Sequence, residues 1–288
     1  MTSEIKDYIA KCTVCATYQR EQPKEPLISH QIPTRPWETV GCDIFHFEDK
    51  SYLCTVDYYS SYFEIDTLTN KTASQLIHIL KKHFSRHGIP NKLVSDNGPP
   101  FNSYEFEQFT MSYEIEHVTS SPHYPQSNGK VENTIKVAKN LLKKSKTAKT
   151  DIYLALLEWR NTPSEGLESS PSQRMFGQRT RTLIPATSEL LKQKLVDDIP
   201  GKLLKKKKLQ AKYYNYGAKE LPHLSNGEVV RVKPTGRSSQ WHKAQVKQQV
   251  DVRSYEVRME DGRVLEEIED TSEVPRSQQV SLANQMYC

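Results

Sequence analysis

Cysteine is scarce in this chain: five in 288 residues, at positions 12, 15, 42, 54 and 288. An odd, scattered set is not a disulfide framework, so a reducing compartment is expected. Apolar residues make up only 36% of the sequence and mean hydropathy is −0.71. That is low for one dense globule and points to a folded core with extended polar segments. No apolar run approaches the roughly 18 residues of a membrane span, and no charged-then-apolar leader opens the chain. The expectation is a soluble, intracellular protein with no membrane partner. Net charge is only +5, so the placement of charge says more than its total. The length allows about two domains.

What is present is organised. Residues 1–20 read as a short helix, Glu4 to Ala10, followed by Cys12-Thr-Val-Cys15. Residues 21–36 are a linker in which Pro23, Pro26, Pro33 and Pro36 block regular structure. From 37 to about 185 the pattern is three strands (Thr39–Phe47, Tyr52–Asp57, Tyr62–Leu68), then helix, strand, helix, strand, then helices. Thr72 and Ser103 are expected N-caps, and Gly88 stops the first helix before Pro90. A long helix is expected from about Ser127 to Lys144 and another over Asp151–Arg160. This is the element order of a ribonuclease-H-like α/β sandwich. Residues 186–225 read as a basic helical linker, with a helical segment at Glu189–Val196 and seven lysines but no acid across Lys202–Lys219. Residues 226–265 hold short strands separated by Asn226-Gly227, Thr235-Gly236 and Asp261-Gly262, the pattern of a small β-barrel. Residues 266–288 read as a disordered polar tail.

Three acids carry the chemistry. Asp43 lies inside a strand, where aspartate is disfavoured and costly to bury without a partner or metal. Asp96-Asn97-Gly98 alone is a common turn, and Glu132 alone is an ordinary helix-surface charge. Positions 97 to 131, 35 residues, separate the last two. Carboxylates at strand ends and on a facing helix can share two divalent metals, which clamp the attacking and leaving oxygens of a phosphoryl transfer. On the long helix Glu132, Lys136 and Lys139 fall at i, i+4 and i+7, hence on one face. Such lysines either stabilise the helix or hold DNA phosphates. Pro125 and Gly129 flank a loop whose Gln126 and Asn128 are candidate nucleic-acid contacts, or a simple helix cap.

The stretches Tyr52–Ile65, Val94-Ser-Asp-Asn-Gly-Pro-Pro-Phe101, Ser120–Glu132 and Leu154–Pro163 resemble the core of retroviral and retrotransposon integrases, those of gypsy-type elements above all. The resemblance runs from about Cys12 to Leu265. It implies a ribonuclease-H-like catalytic core, an N-terminal zinc module and a C-terminal SH3-like barrel. It implies that Asp43, Asp96 and Glu132 bind two Mg²⁺ (or Mn²⁺) ions and trim and join DNA 3′ ends. Double-stranded DNA, homo-oligomers and the nucleus are the implied partners and location. Asn97, Gln126, Asn128, Lys130, Lys136, Lys139 and Lys205 to Lys208 are the expected DNA contacts.

The pattern breaks at both ends. Cys12 and Cys15 match only half of a His-His-Cys-Cys module, because no histidine precedes Cys12. Two cysteines do not close a tetrahedral site, so zinc is not expected to bind. Where relatives continue with a basic strand, Glu266–Glu273 carries five acids in eight residues, and the barrel is expected to lack its last strand. Two other readings stand beside the integrase: a non-catalytic DNA-binding protein using Lys139–Lys149 and Lys202–Lys219, and a ribonuclease-H-type hydrolase. The stretch Ser120–Lys130 argues against the last.

Overall fold

The computed structural model describes residues 12, 14, 17–18, 25–27, 31–120, 129–232, 240–251, 253–268 and 272–273. The chain forms two bodies, residues 29–210 and residues 1–28 together with 211–288.

The first body is a five-stranded mixed sheet with helices on both faces. Its strands are β1 (Thr39–Phe47), β2 (Lys50–Asp57), β3 (Phe63–Leu68), β4 (Lys92–Asp96) and β5 (Glu116–Ser120), in the order β3-β2-β1-β4-β5. The first three form an antiparallel meander, and β4 and β5 run parallel to β1. Helices α1 (Ala73–His87) and α2 (Tyr104–Ser112) interrupt the strands as parallel connections require, and α3 (Gly129–Ala148) and α4 (Ile152–Asn161) follow. Thr72 caps α1 by accepting from Gln75 N, and Ser103 caps α2 by accepting from Phe106 N, each at 3.3 Å.

Alternation along β1 splits the core in two. Val40 and Cys42 pack with Leu53, Leu93, Leu76, Leu80 and Phe106 under α1 and α2. Phe45 points the other way and packs with Cys54, Val56 and Phe63 against Val131, Ile135 and Ala138 of α3 and Leu156 of α4. Asp43 shares the parity of Phe45, so the strand presents it on the α3 side. A short α5 (Pro171–Phe176) has Ser170 and Gln173 as a reciprocal capping box, and α6 (Ile199–Tyr214) crosses the boundary between the bodies.

The second body is built on a sheet in the order β10-β6-β7-β8-β9, with β6 Val229–Val232, β7 His242–Asp251, β8 Ser254–Met259, β9 Val264–Ile268 and β10 Ser272–Glu273. Its core is Leu224, Val230, Val232, Ala244, Val246, Tyr255, Val257 and Met259. Four strand spacings would put the edges about 19 Å apart if flat. The chain between Ile268 and Ser272 reaches at most about 14 Å, so the sheet is curled. Early residues belong to this body: Trp241 N donates to Thr17 O at 2.9 Å, and Arg253 pairs with Glu25 at 3.1 Å.

Two expectations change. Glu189–Val196 is not a helix but a single 3₁₀ turn over Ser188–Leu191. Leu195 is 80% exposed, so this segment buries no apolar face that would hold a longer helix. The acidic stretch is not wholly a tail either, because β9 continues to Ile268 and β10 pairs with β6. The expected helix at Glu4–Ala10, Cys15, residues 121–128 with Gln126 and Asn128, and the chain after 273 lie outside the described residues. Among the described residues, no helix is long and apolar enough to cross a membrane.

Candidate active site

β1 and β4 pair in parallel as Thr39↔Lys92, Val40↔Leu93 and Gly41↔Val94. Carried two residues on, the same offset sets Asp43 level with Asp96 on adjacent strands, whose spacing is about 4.8 Å. Asp96 is the last residue of β4 and is exposed, whereas Asp43 is half-buried. Glu132 enters from above the sheet in the first turn of α3, where a carboxylate is favoured by the helix dipole.

Electrostatics couple the three. Burial, together with the charges of Asp96 and Glu132, pushes Asp43 up from 3.8 to about 6. The Ile44 N–H, donating to Asp43 Oδ1 at 2.6 Å, and the charge of Lys139 work against that rise. Two carboxylates whose charges act on a third are oxygen donors of the kind that hard cations take. Among the described residues, no three His, Cys, Asp or Glu side chains are already drawn together around one point.

The scaffold fixes each carboxylate separately. Beneath Asp96, the Ser95 hydroxyl is buried; it donates to Asp96 O and meets His117 Nε2, both at 2.8 Å. Because that hydroxyl's proton is used on Asp96, Nε2 is the donor in the second bond. Gly98 N donates to Asp96 Oδ1 at 3.3 Å, and Phe101 anchors the following turn, whose Pro99–Pro100 bond is cis, by packing on Phe106. The α3 side depends on Gly41. A Cβ there would lie 2.4 Å from Val131 Cγ2 and 2.8 Å from a Tyr58 ring carbon, so only glycine lets α3 approach β1 this closely. Ser95, His117 and Gly41 are not among the sequence-predicted site residues. For Gly41 the only signal was a glycine inside a strand, two residues before an aspartate.

Of the expected DNA contacts, Asn97, Lys136 and Lys139 are exposed. Asn97 adjoins Asp96, and Lys139 Nζ lies 5.8 Å over the Phe45 ring, on the Asp43 side of the sheet. Lys130 is half-buried and donates to Ser61 Oγ at 2.5 Å, and burial pushes it down to about 8. Lys205, Lys206 and Lys208 are exposed on α6, but Lys206 donates to Glu165 O at 2.8 Å, and Lys207 is half-buried. Cys12 is half-buried; its expected zinc partner Cys15 lies outside the described residues.

An α/β sheet of this order, with two aspartates on adjacent strands and a glutamate on the covering helix, defines the ribonuclease-H-like class of phosphoryl-transfer folds. Comparison with known proteins narrows the class. Residues 33–125 match the integrase core domain family. Uncharacterized protein K02A2.6 of Caenorhabditis elegans is 29% identical over 91% of this chain and 21% of its own length. The Gag-Pro-Pol polyprotein of human T-cell leukemia virus 2 is 33% identical over 49% of this chain and 10% of its own. A chain of a simian T-cell lymphotropic virus intasome, solved in complex with the PP2A regulatory subunit B56 gamma, shares the fold at TM-score 0.65. That match has 19% identity and covers 96% of this chain and 91% of that one. Residues 33–125 thus match an integrase core domain, and the rest of the chain is similar in part to these relatives. The chain spans about a fifth of the nematode relative and a tenth of the viral polyprotein.

Proposed function

We propose that this chain is a retrotransposon-type integrase that trims DNA 3′ ends and joins them to a target duplex, with Asp43, Asp96 and Glu132 holding two divalent cations. The observation that carries the reading is the action of the Asp96 and Glu132 charges on Asp43, in line with a parallel β1–β4 register that, extended two residues, sets Asp43 level with Asp96. The gypsy-type reading rests on the resemblance of Tyr52–Ile65, Val94–Phe101, Ser120–Glu132 and Leu154–Pro163 to integrases of such elements. When bound, the cations would lower the pKa of the attacking hydroxyl and neutralise charge on the leaving 3′-oxygen.

The donor set fits hard cations such as Mg²⁺ or Mn²⁺. Cys42 belongs to the opposite core face, and Cys54, level with Asp43 across β1–β2, is buried among Val56, Phe63 and Ile135. Sulfur is therefore kept out of the site, which leaves oxygen ligands. Exposed Asn97, Lys136 and Lys139 border the carboxylates and supply positive charge and hydrogen bonds for the DNA backbone. Action on paired DNA ends calls for more than one copy and for nuclear access.

The test is strand transfer and disintegration on short labelled duplexes with Mn²⁺, comparing wild type with Asp96→Asn and Glu132→Gln. Product from wild type alone is expected. Salt-sensitive DNA binding without product from any of them would replace the integrase reading with a non-catalytic DNA-binding protein.

A further inference from the structure

Two successive residues in the first turn of α3 are gripped from the sheet side. Val131 is fully buried in the notch that Gly41 leaves open. Lys130, beside it, reaches the β2–β3 turn and donates to Ser61 Oγ at 2.5 Å.

That turn is a rigid anchor. Asp57, fully buried at its start, accepts from the N–H groups of Trp37, Tyr59 and Ser60 and from the Ser60 hydroxyl. Arg174 of α5, 3% exposed, donates through Nε to Ser60 O at 2.9 Å and through its other nitrogens to Ser164 and Ser169. Ser61 itself sits at φ 62°, a backbone state rare for a residue with a side chain and kept here by its surroundings. A lysine that would otherwise be mobile thus ends on a fixed frame, and Glu132 lies two residues further along the same turn.

We infer that Lys130 is a positioning residue: its ammonium pins the start of α3 to the β2–β3 turn and thereby sets where Glu132 stands relative to Asp43 and Asp96. This rests on the reading of those carboxylates as a cation site. It separates Lys130 from Lys136 and Lys139, which are exposed residues of the same helix. Small displacements of a ligating group are costly in sites of this kind, because the supporting contacts set its geometry.

Lys130→Met keeps the aliphatic stem and removes the donor. Ser61→Gly removes the acceptor and tolerates the positive φ. The full chain is examined first without metal, by hydrogen exchange of the amides from Val131 to Lys136. Exchange about tenfold faster in each variant, and no faster in the double variant, is expected. Mn²⁺ is then titrated by calorimetry, with about a tenfold weaker midpoint expected in both variants. The salt dependence of DNA binding should keep the wild-type slope. Unchanged exchange in both variants overturns the inference, as does faster exchange with unaltered Mn²⁺ affinity, which would mark a contact that is structural only. A salt slope lowered by about one in Lys130→Met, with exchange unchanged, would return Lys130 to the phosphate contacts. Loosened exchange in a protein whose wild type takes up no Mn²⁺ would refute the cation reading itself, while the tether would stand on the exchange data.

Discussion

Asp43→Asn should make the metal-free protein more stable above neutral pH. The folded pKa of Asp43 is raised from 3.8 to about 6 by burial and by the neighbouring carboxylates. Between those values the native state binds more protons than the unfolded state. Stability therefore falls as pH rises through that window and stays lowered above it. A shift of about two units corresponds to roughly 3 kcal/mol at most, at about 1.4 kcal/mol per unit. Asp43 is only half-buried and partly screened, so roughly 1–2 kcal/mol is the working figure. Asparagine keeps an acceptor for the Ile44 N–H and removes the charge. For a folded body of this size, each kcal/mol moves Tm by about 2–4 °C. Calorimetry in chelator at about pH 8 should thus show the variant roughly 2–8 °C higher, with the gap reduced to about a third at about pH 4.5 and closed only below the unfolded pKa, at about pH 3. Adding Mg²⁺ should raise wild type and leave the variant almost unmoved. A variant no more stable than wild type in chelator at high pH would refute the repulsion argument, and so would a gain that ignores pH.

Other perturbations test the scaffold. Gly41→Ala should cost about 1–3 kcal/mol in urea denaturation through forced overpacking against Val131 and Tyr58, and should lower strand transfer beyond what the stability loss explains. Glu64 is 8% exposed and, despite burial, is held down at about 2 by the His87 hydrogen bond and the charge of Arg160, whose Nη2 lies 2.7 Å away. Its stabilisation is present above the ordinary pKa of 4.5 and disappears as pH falls through the window down to about 2. Arg160→Met should therefore cost about 3 kcal/mol near neutrality, a gap that narrows in acid, as denaturation at two pH values would show. Ser170→Ala removes the capping box of α5 and should cost about 1 kcal/mol. Lys139→Glu should weaken DNA binding at every sequence and flatten its salt dependence by about one or two phosphate contacts, measured by anisotropy against salt.

The core strands and helices were legible because each combined a periodic apolar pattern with a local stop or start signal. Thr72 and Ser103 cap the helices expected of them, Asp151 proves to be the cap of α4 rather than its first residue, and α1 ends at Gly88. The capping box Ser170-Pro-Ser-Gln173 was equally readable, with proline at the first helical position, but α5 is too short for an apolar period to draw attention to it. The segment from Glu189 failed in the opposite direction. Its leucines have helical spacing, yet Leu190 and Leu195 stay exposed, and spacing alone does not supply the tertiary contacts that a short helix needs.

The candidate site divides along the same physical line. Asp43, Asp96 and Glu132 could be named because an acid inside a strand, an acid at a strand end and an acid early in a helix conflict with, or exploit, local rules. Lys130 could not be placed from sequence, because helical phase alone does not say which surface a position faces when a turn from another strand pair folds over the helix start. Phase put Lys130 two residues before Glu132, near an expected DNA face. The partner that turns it inward, Ser61, is 69 residues away in sequence. Gly41 and His117 are of the same kind: each acts through a contact that exists only once the sheet order is known. Spacing and resemblance therefore name the groups proposed to bind a cation. The residues that fix their spacing are non-local, and they are where substitutions should alter the chemistry without touching a carboxylate.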